Sequence, residues 1–345
     1  MAHLFDRITF CIKGFLIIKI GEKVRDHYIA VIIPAYKVET KISRVIQSIP
    51  DFVRSIIVVI DGSPDRTAEI IQKISDPRLV VINHEKNQGV GGAMITGYNK
   101  ALDLGADIMV KVDGDDQMDT TRIIDLIRPI IKGEADFTKG NRFMHELQMK
   151  SMPLVRRIGN WGLTFLVKVA SGYWNIFDPS NGFTAIHAQV WRFINQQRIA
   201  KDYFFESSLL VELRFLNAVV QDVYIPARYQ DEESSLSIFK VLFTFPSRLI
   251  KATIRRFVYQ YYLYNFSFGS LAFIVGLIFV IFGFVWGVVY WIKSINTGIP
   301  ATTGTVLIAV LPIILGVQLL LQVVSQDIAE VPRKVIHNSL LPNQE

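Results

Sequence analysis

The sequence predicts an α/β domain on a mainly parallel central sheet, followed by an interfacial amphipathic helix and two transmembrane helices. Three observations carry this reading. Apolar runs without polar alternation recur between helical stretches, the pattern of strands covered on both faces. One such run ends in the acidic cluster Asp113-Gly114-Asp115-Asp116-Gln117. Residues 257–292 and 294–326 contain no charged side chain, and each run exceeds the ~20 apolar residues that a membrane helix needs.

Residues 4–20 are apolar but are cut by Asp6, Arg7, Lys13 and Lys19. Those charges disfavour a signal peptide. They fit an amphipathic helix in the membrane interface over 1–27, with a helix packed on the globular domain as the other reading. The domain itself is expected over 28–236. Its strands are 28–34 (YIAVIIP), 55–60 (SIIVVI), 78–83 (RLVVIN) and 106–112, and its first helices are 40–49, 64–75 and 89–104. In such sheets ligands lie beyond the carboxyl ends of the strands. That rule aligns Ala35-Tyr36, Asp61-Gly62-Ser63, the residues 84–87 and the acidic cluster along one edge.

Asn87-Gln88-Gly89-Val90-Gly91-Gly92 is a glycine-rich turn opening a helix, whose backbone amides suit an anionic ligand. Met94 departs from the dinucleotide fingerprint, and a tight turn is the alternative. Residues 151–171 read as a helix with Arg156 and Arg157 near its start. Residues 237–258 read as an amphipathic helix broken at Pro246. It carries Arg248, Lys251 and Arg255 on one face and Ile250, Ile254 and Phe257 on another, which suits anionic lipid. Two membrane helices are expected at about 266–292 and 303–326 within 259–328, then a tail over 329–345. Tyrosines at 259–264 and Trp286, Tyr290 and Trp291 mark the two interfaces.

The net charge is +6. The basic residues nearest the membrane runs are Lys240, Arg248, Lys251, Arg255 and Arg256 before the first and Arg333 and Lys334 after the second, and the net charge is not read as a nucleic-acid signature. The positive-inside rule then places the globular domain and both termini on the cytoplasmic side of the inner membrane. The single cysteine, Cys11, excludes an internal disulfide, and the six histidines show no metal-ligand spacing. The acidic cluster can hold a hard divalent cation, because such ions take carboxylate and amide oxygens. A solvated acidic turn is the bland alternative.

Pro34-Ala35-Tyr36 with Glu39, Asp61-Gly62-Ser63 with Asp65 and Thr67, Asn87 with Gly89 and Gly91-Gly92, and Asp113-x-Asp115-x-Gln117 appear in that order. This ordered set resembles the family 2 glycosyltransferases of GT-A fold. The similar branch holds dolichyl-phosphate mannose synthase and the bacterial polyisoprenyl-phosphate glycosyltransferases. Gly140-Asn141-Arg142, Asp178 with Gly182-Phe183, and residues 203–206 extend the likeness to about residue 240. Two departures stand out: Ile60 replaces an aspartate often found before Gly-Ser, and an acidic segment at Asp231, Glu232 and Glu233 stands where the branch often carries Arg or Lys.

The resemblance implies inverting transfer of a sugar from a nucleotide-sugar, with UDP preferred over GDP, to a polyisoprenyl phosphate, forming a lipid-linked sugar for cell-envelope glycans. It implies Mg²⁺ or Mn²⁺ on Asp113, Asp115 and Gln117. It frames the nucleotide-sugar with Pro34, Ala35, Tyr36, Glu39, Asp61, Asn87, Gly92 and Asp113. Arg142 and Asp178 take catalytic roles, and Arg142, Arg156 and Asn160 receive the acceptor phosphate. Asp178 orients the sugar or the acceptor or serves as a base, with a strand-end carboxylate in a turn before Pro179 as the bland alternative. A homo-oligomer, a tetramer by resemblance, is expected. A processive polysaccharide synthase would carry Gln-x-x-Arg-Trp, which is absent here. Transfer to a hydroxyl and an inactive membrane scaffold are the other readings.

Overall fold

The structure, a computed structural model, describes residues 24–142, 154–179, 181–226, 238–264 and 266–340, without side chains for 154–158, 160 and 238–244. The expected N-terminal interfacial helix falls almost wholly outside the described residues, as do Asp231–Glu233 and the side chains of Arg156 and Asn160. The chain divides into two units, Met1–Leu249 with Pro332–Glu345, and Ile250–Val331.

The first unit alternates strand and helix. Strand β1 is Ile29–Ala35, helix α1 Ile42–Ser48, β2 Ser55–Asp61, α2 Thr67–Gln72, β3 Leu79–His84, α3 Val90–Asp103 and β4 Ile108–Lys111. Helix α4 (Ile123–Ile131), β5 (Phe137–Asn141), α5 (Leu154–Ser171), β6 (Thr184–His187), α6 (Ala188–Phe193), α7 (Phe205–Phe215) and β7 (Val220–Tyr224) complete it. The sheet order is β3-β2-β1-β4-β6-β5-β7. Only β6 among the described strands runs against its neighbours, β4 and β5.

The apolar runs explain this arrangement. All seven residues of β2 are buried, and so are six of seven in β1. Alternate residues of these strands serve the two faces. Val31, Ile33, Val58 and Val110 pack with Ile42, Ile46, Leu126 and Ile127 of α1 and α4. On the other face α3 lies so close that Gly97 faces Ile32 and Val59 with no room for a side chain. The carboxyl ends of β1 to β4 therefore share one edge.

Residues 332–340, set apart as part of a tail from sequence, pack on this first unit at the opposite edge. Buried Asp136, just before β5, accepts hydrogen bonds from the amides of Ile336 (3.0 Å), His337 (3.0 Å) and Val219 (2.8 Å). It also lies 2.7 Å from His337 Nδ1. Burial works against its charge, but these hydrogen bonds hold its carboxyl below the usual range. His337 stacks on His187 at 4.3 Å, and burial with His337 nearby pulls the His187 imidazole down to about 4.

Helix α8, Ile238–Val258, runs on through Pro246. The predicted break is absent: a proline removes one backbone donor, and one missing bond does not end a helix of this length. Arg248 does not stand in a free basic stripe, because it pairs with Asp202 at 2.7 Å.

In the second unit, a π-helical turn (Tyr259–Tyr264) leads into α9 (Phe268–Thr297) and α10 (Thr303–Ala329). Both helices are long and apolar enough to cross a membrane. They pack tightly: a methyl on Gly316 would come within 2.6 Å of the Gly276 carbonyl oxygen, the close approach that small residues allow between membrane helices. Near one end, buried Arg256 and Asp327 pair at 2.6 Å, and the Tyr261 hydroxyl donates to Asp327 at 3.2 Å.

Candidate active site

The carboxyl edge of the sheet gathers most of the residues singled out from sequence. The acidic turn follows β4. Asp116 takes a left-handed conformation, φ 60°, and sits 3.6 Å from Arg44. The Asp115 carboxylate accepts the Gln117 amide at 3.2 Å. Burial and the nearby negative charge of Asp113 both push the Asp115 carboxyl up. Gln117 is exposed.

This donor set fits a hard divalent cation. Two carboxylates and an amide fall within one turn, and the two carboxylates repel each other, a repulsion that a cation between them would relieve. Among the described residues no group of three or more His, Cys, Asp or Glu could hold a metal. A cation here would therefore draw the rest of its shell from ligand oxygens and water, as Mg²⁺ commonly does.

Asp61 is buried and already engaged. It accepts the amides of Gln88 (2.9 Å) and Gly89 (2.8 Å) and lies 2.7 Å from His84 Nδ1. The amides of Gly91 and Gly92 donate to the Lys201 carbonyl at 2.8 and 3.3 Å. This corrects the reading of the glycine turn as an anion cradle, since four of its amides already have protein acceptors. Its glycines admit the 200–201 backbone: a methyl on Gly91 would overlap the Ala200 carbonyl and come within 2.9 Å of Lys201 Cα. Asn87 closes the turn by accepting the Gly89 amide at 2.9 Å.

At the end of β1, Ala35 is buried, Pro34 is partly covered, and Tyr36 is exposed over the edge. Glu39 accepts the Arg66 amide at 2.9 Å. Asp65 binds Ser63 at 2.6 Å and Thr67 at 3.2 Å. Against burial, those hydrogen bonds hold its carboxyl below the usual range. The β1 and β2 loops are thus tied together.

Asp178 is fully buried and grips Arg142, accepting from Nε at 2.8 Å and Nη2 at 3.1 Å. Sequence reading treats these two separately; the fold makes them one unit across 36 positions. Gly182, on the same loop, lies against the acidic turn: a methyl there would stand 2.5 Å from Asp113 Oδ2.

The roles of four charged residues, Lys111, Glu206, Lys139 and Asp222, escape the sequence reading. Lys111, buried at the end of β4, pairs with Asp113 (2.8 Å) and with Glu206 of α7 (2.9 Å). Lys139, also buried, donates to the Asn181 carbonyl. The register sets Lys111 and Lys139 on either side of Thr184, with Asp222 beyond Lys139, so one polar rung crosses β4, β6, β5 and β7. Burial opposes the Lys111 charge, but Asp113 and Glu206 outweigh it and push the ammonium up. Burial pulls Lys139 down to about 8 against the attraction of Glu206 and Asp178. It pushes the Asp222 carboxyl up to about 6. The available signal was the lone lysine that ends the otherwise apolar strand β4, since a buried charge demands a counter-charge.

The fold and its acidic edge define a GT-A glycosyltransferase. The solved structure of glucosyl-3-phosphoglycerate synthase from Mycobacterium tuberculosis with UDP superposes at TM-score 0.51 and 20% identity, covering 69% of this chain and 82% of that one. Residues 30–193 match glycosyl transferase family 2, and the chain belongs to that family. It is 35% identical over 193 residues to the UDP-N-acetylglucosamine–dolichyl-phosphate N-acetylglucosaminyltransferase of Methanococcus voltae, covering 52% of this chain and 76% of that relative. It is 32% identical to the dolichol-phosphate mannosyltransferase of Pyrococcus furiosus over 47% of each chain. It is 26% identical to the undecaprenyl-phosphate mannosyltransferase of Micrococcus luteus over 56% of this chain and 81% of that one.

Proposed function

We propose that the protein transfers a sugar, with inversion, from a UDP-sugar to a polyisoprenyl phosphate at the cytoplasmic face of a membrane. The observation that carries this reading is the Arg142–Asp178 pair beside the acidic turn, on a chain with two membrane-length helices. The names of the relatives above support the acceptor class, and that of the Methanococcus relative makes UDP-N-acetylglucosamine the first donor to test.

Pro34, Tyr36 and Glu39 frame the nucleoside in this reading. Asp61, Asn87 and Gly92 act one step back, by shaping the turn beneath it. Asp113, Asp115 and Gln117 hold Mg²⁺ or Mn²⁺, which when bound neutralises charge on the departing diphosphate. The acceptor phosphate has a second pKa of ~6, so much of it is already a dianion at neutral pH. Such a nucleophile needs a cation to position it more than a base. Arg142 offers that cation, and arginine's planar fork suits phosphate. Arg156 and Asn160 on α5 are proposed to join it. Asp178 orients Arg142; its full burial disfavours its use as a base and so disfavours a hydroxyl acceptor. Beside this pair, Trp161, Phe165 and Phe177 are exposed, with the Lys168 ammonium 4.1 Å from the Phe177 ring centroid. An apolar surface there suits a lipid acceptor. The domain over 28–236, the 237–258 helix and the two spans would hold this site at the headgroup layer, with both termini cytoplasmic.

The test is transfer from radiolabelled UDP- and GDP-sugars to a polyisoprenyl phosphate by purified protein with Mn²⁺ or Mg²⁺. A chelator-sensitive, lipid-extractable product is expected, and Asp115→Ala abolishes it. Nucleotide-sugar binding without a lipid product would overturn the acceptor assignment, and full activity of Asp115→Ala would end the metal assignment.

A further inference from the structure

Lys111 is the enclosed member of a three-charge cluster at the end of β4. Its side chain is 2% exposed, against 30% for Asp113 and 14% for Glu206. Its ammonium lies between those two carboxylates, with Gly182 packed over it so closely that a methyl there would overlap Nζ. The Gly182 segment is itself fastened: Lys139 donates to the Asn181 carbonyl, and Asn181 Nδ2 donates to the Gly140 carbonyl at 2.7 Å. The ammonium therefore has little freedom to leave Asp113, and Glu206 sits on its other side.

This arrangement has a consequence for any cation in the acidic turn. A divalent ion bound through Asp113 must share that carboxylate with Lys111, and the two positive charges repel. Glu206 offsets part of the lysine charge from 95 positions away in sequence. We propose that Lys111 and Glu206 act as an opposed pair that sets the affinity of the acidic turn for its divalent cation: Lys111 weakens binding while fixing the Asp113 rotamer, and Glu206 strengthens it. Both are positioning residues acting through Asp113. The inference rests on the metal reading above and extends it to two residues outside the turn.

The pair makes predictions of opposite sign, which loss of structure does not. Mn²⁺ binding to the purified full chain in detergent micelles is measured from the EPR signal of the free ion, with no substrate and no turnover. Lys111→Met is expected to bind Mn²⁺ at least about tenfold more tightly, because a unit charge a few ångströms away is removed from a low-dielectric site. Glu206→Gln keeps the side chain's size and is expected to bind about tenfold more weakly. Turnover falls in Lys111→Met despite the tighter binding, because Asp113 loses its anchor. Thermal unfolding is followed for each variant, and Lys111→Gln replaces Lys111→Met if the latter does not fold. Unchanged or weaker binding in the lysine variant, or unchanged or tighter binding in the glutamate variant, overturns the inference and leaves the metal site standing. If the unaltered protein binds no Mn²⁺, or if Asp115→Ala binds it equally well, the metal reading falls and the inference with it.

Discussion

Gly91→Ala separates two meanings of the glycine turn. The added methyl would overlap the Ala200 carbonyl oxygen and stand 2.9 Å from Lys201 Cα, both backbone atoms that cannot swing aside. Overpacking of this kind costs ~1–3 kcal/mol. Pushing the 200–201 backbone away also lengthens the 2.8 Å bond from the Gly91 amide to Lys201, a loss of about 1 kcal/mol. The sum, about 2–4 kcal/mol, corresponds to a fall in melting temperature of roughly 5–15 °C for a unit of this size. Intrinsic fluorescence during heating in detergent measures it. Gly159→Ala on α5 is the control: among the described residues nothing lies within 4 Å of a methyl there, so the exchange is expected to be neutral or to stabilise by about 0.5–1 kcal/mol. If Gly91→Ala melts with the unaltered protein while KM for the donor rises, the glycines serve the ligand directly and the packing argument is wrong.

Three further perturbations probe other parts of the molecule. Asp136→Ala strands the amides of Val219, Ile336 and His337; it should cost about 2–4 kcal/mol and open residues 332–340 to limited proteolysis at Lys334. Asp327→Ala removes the carboxylate that pairs with buried Arg256 in the second unit, with an expected loss of ~3–5 kcal/mol, and an Arg256→Met, Asp327→Leu double variant should recover most of it. Asp222 has a native pKa of about 6, raised by burial above the model-compound value of 3.8. The folded state thus holds its proton more tightly than the unfolded chain. Its stabilising contribution is present below pH 4 and is lost as pH rises through 6. Asp222→Asn can keep the bonds to Asn141 and Phe177 while staying neutral, so its stability relative to the unaltered protein should improve between pH 4.5 and 7.5. Urea midpoints at those two values test the sign.

Local pattern was enough to determine the architecture. Strands without polar alternation, as in IAVIIPA and the IIVVI of β2, point to a sheet covered on both faces. Two uncharged runs of membrane length have few stable places other than a bilayer. The acidic turn was legible because its oxygens lie within five positions of one another. Tertiary structure alone decided what those residues touch. The Lys111–Glu206 bond, the Arg142–Asp178 grip and the Asp136–His337 latch join positions 95, 36 and 201 apart. Such pairs depend on strand order and on the reversal of β6, which no run of neighbouring residues encodes. The glycine turn shows the limit most clearly. Its sequence has the composition of an anion cradle, yet its amides point at Asp61 and Lys201, because the helix N-terminus is packed against another loop. A sequence records which groups can bind; the fold decides which of them are already bound to the protein itself.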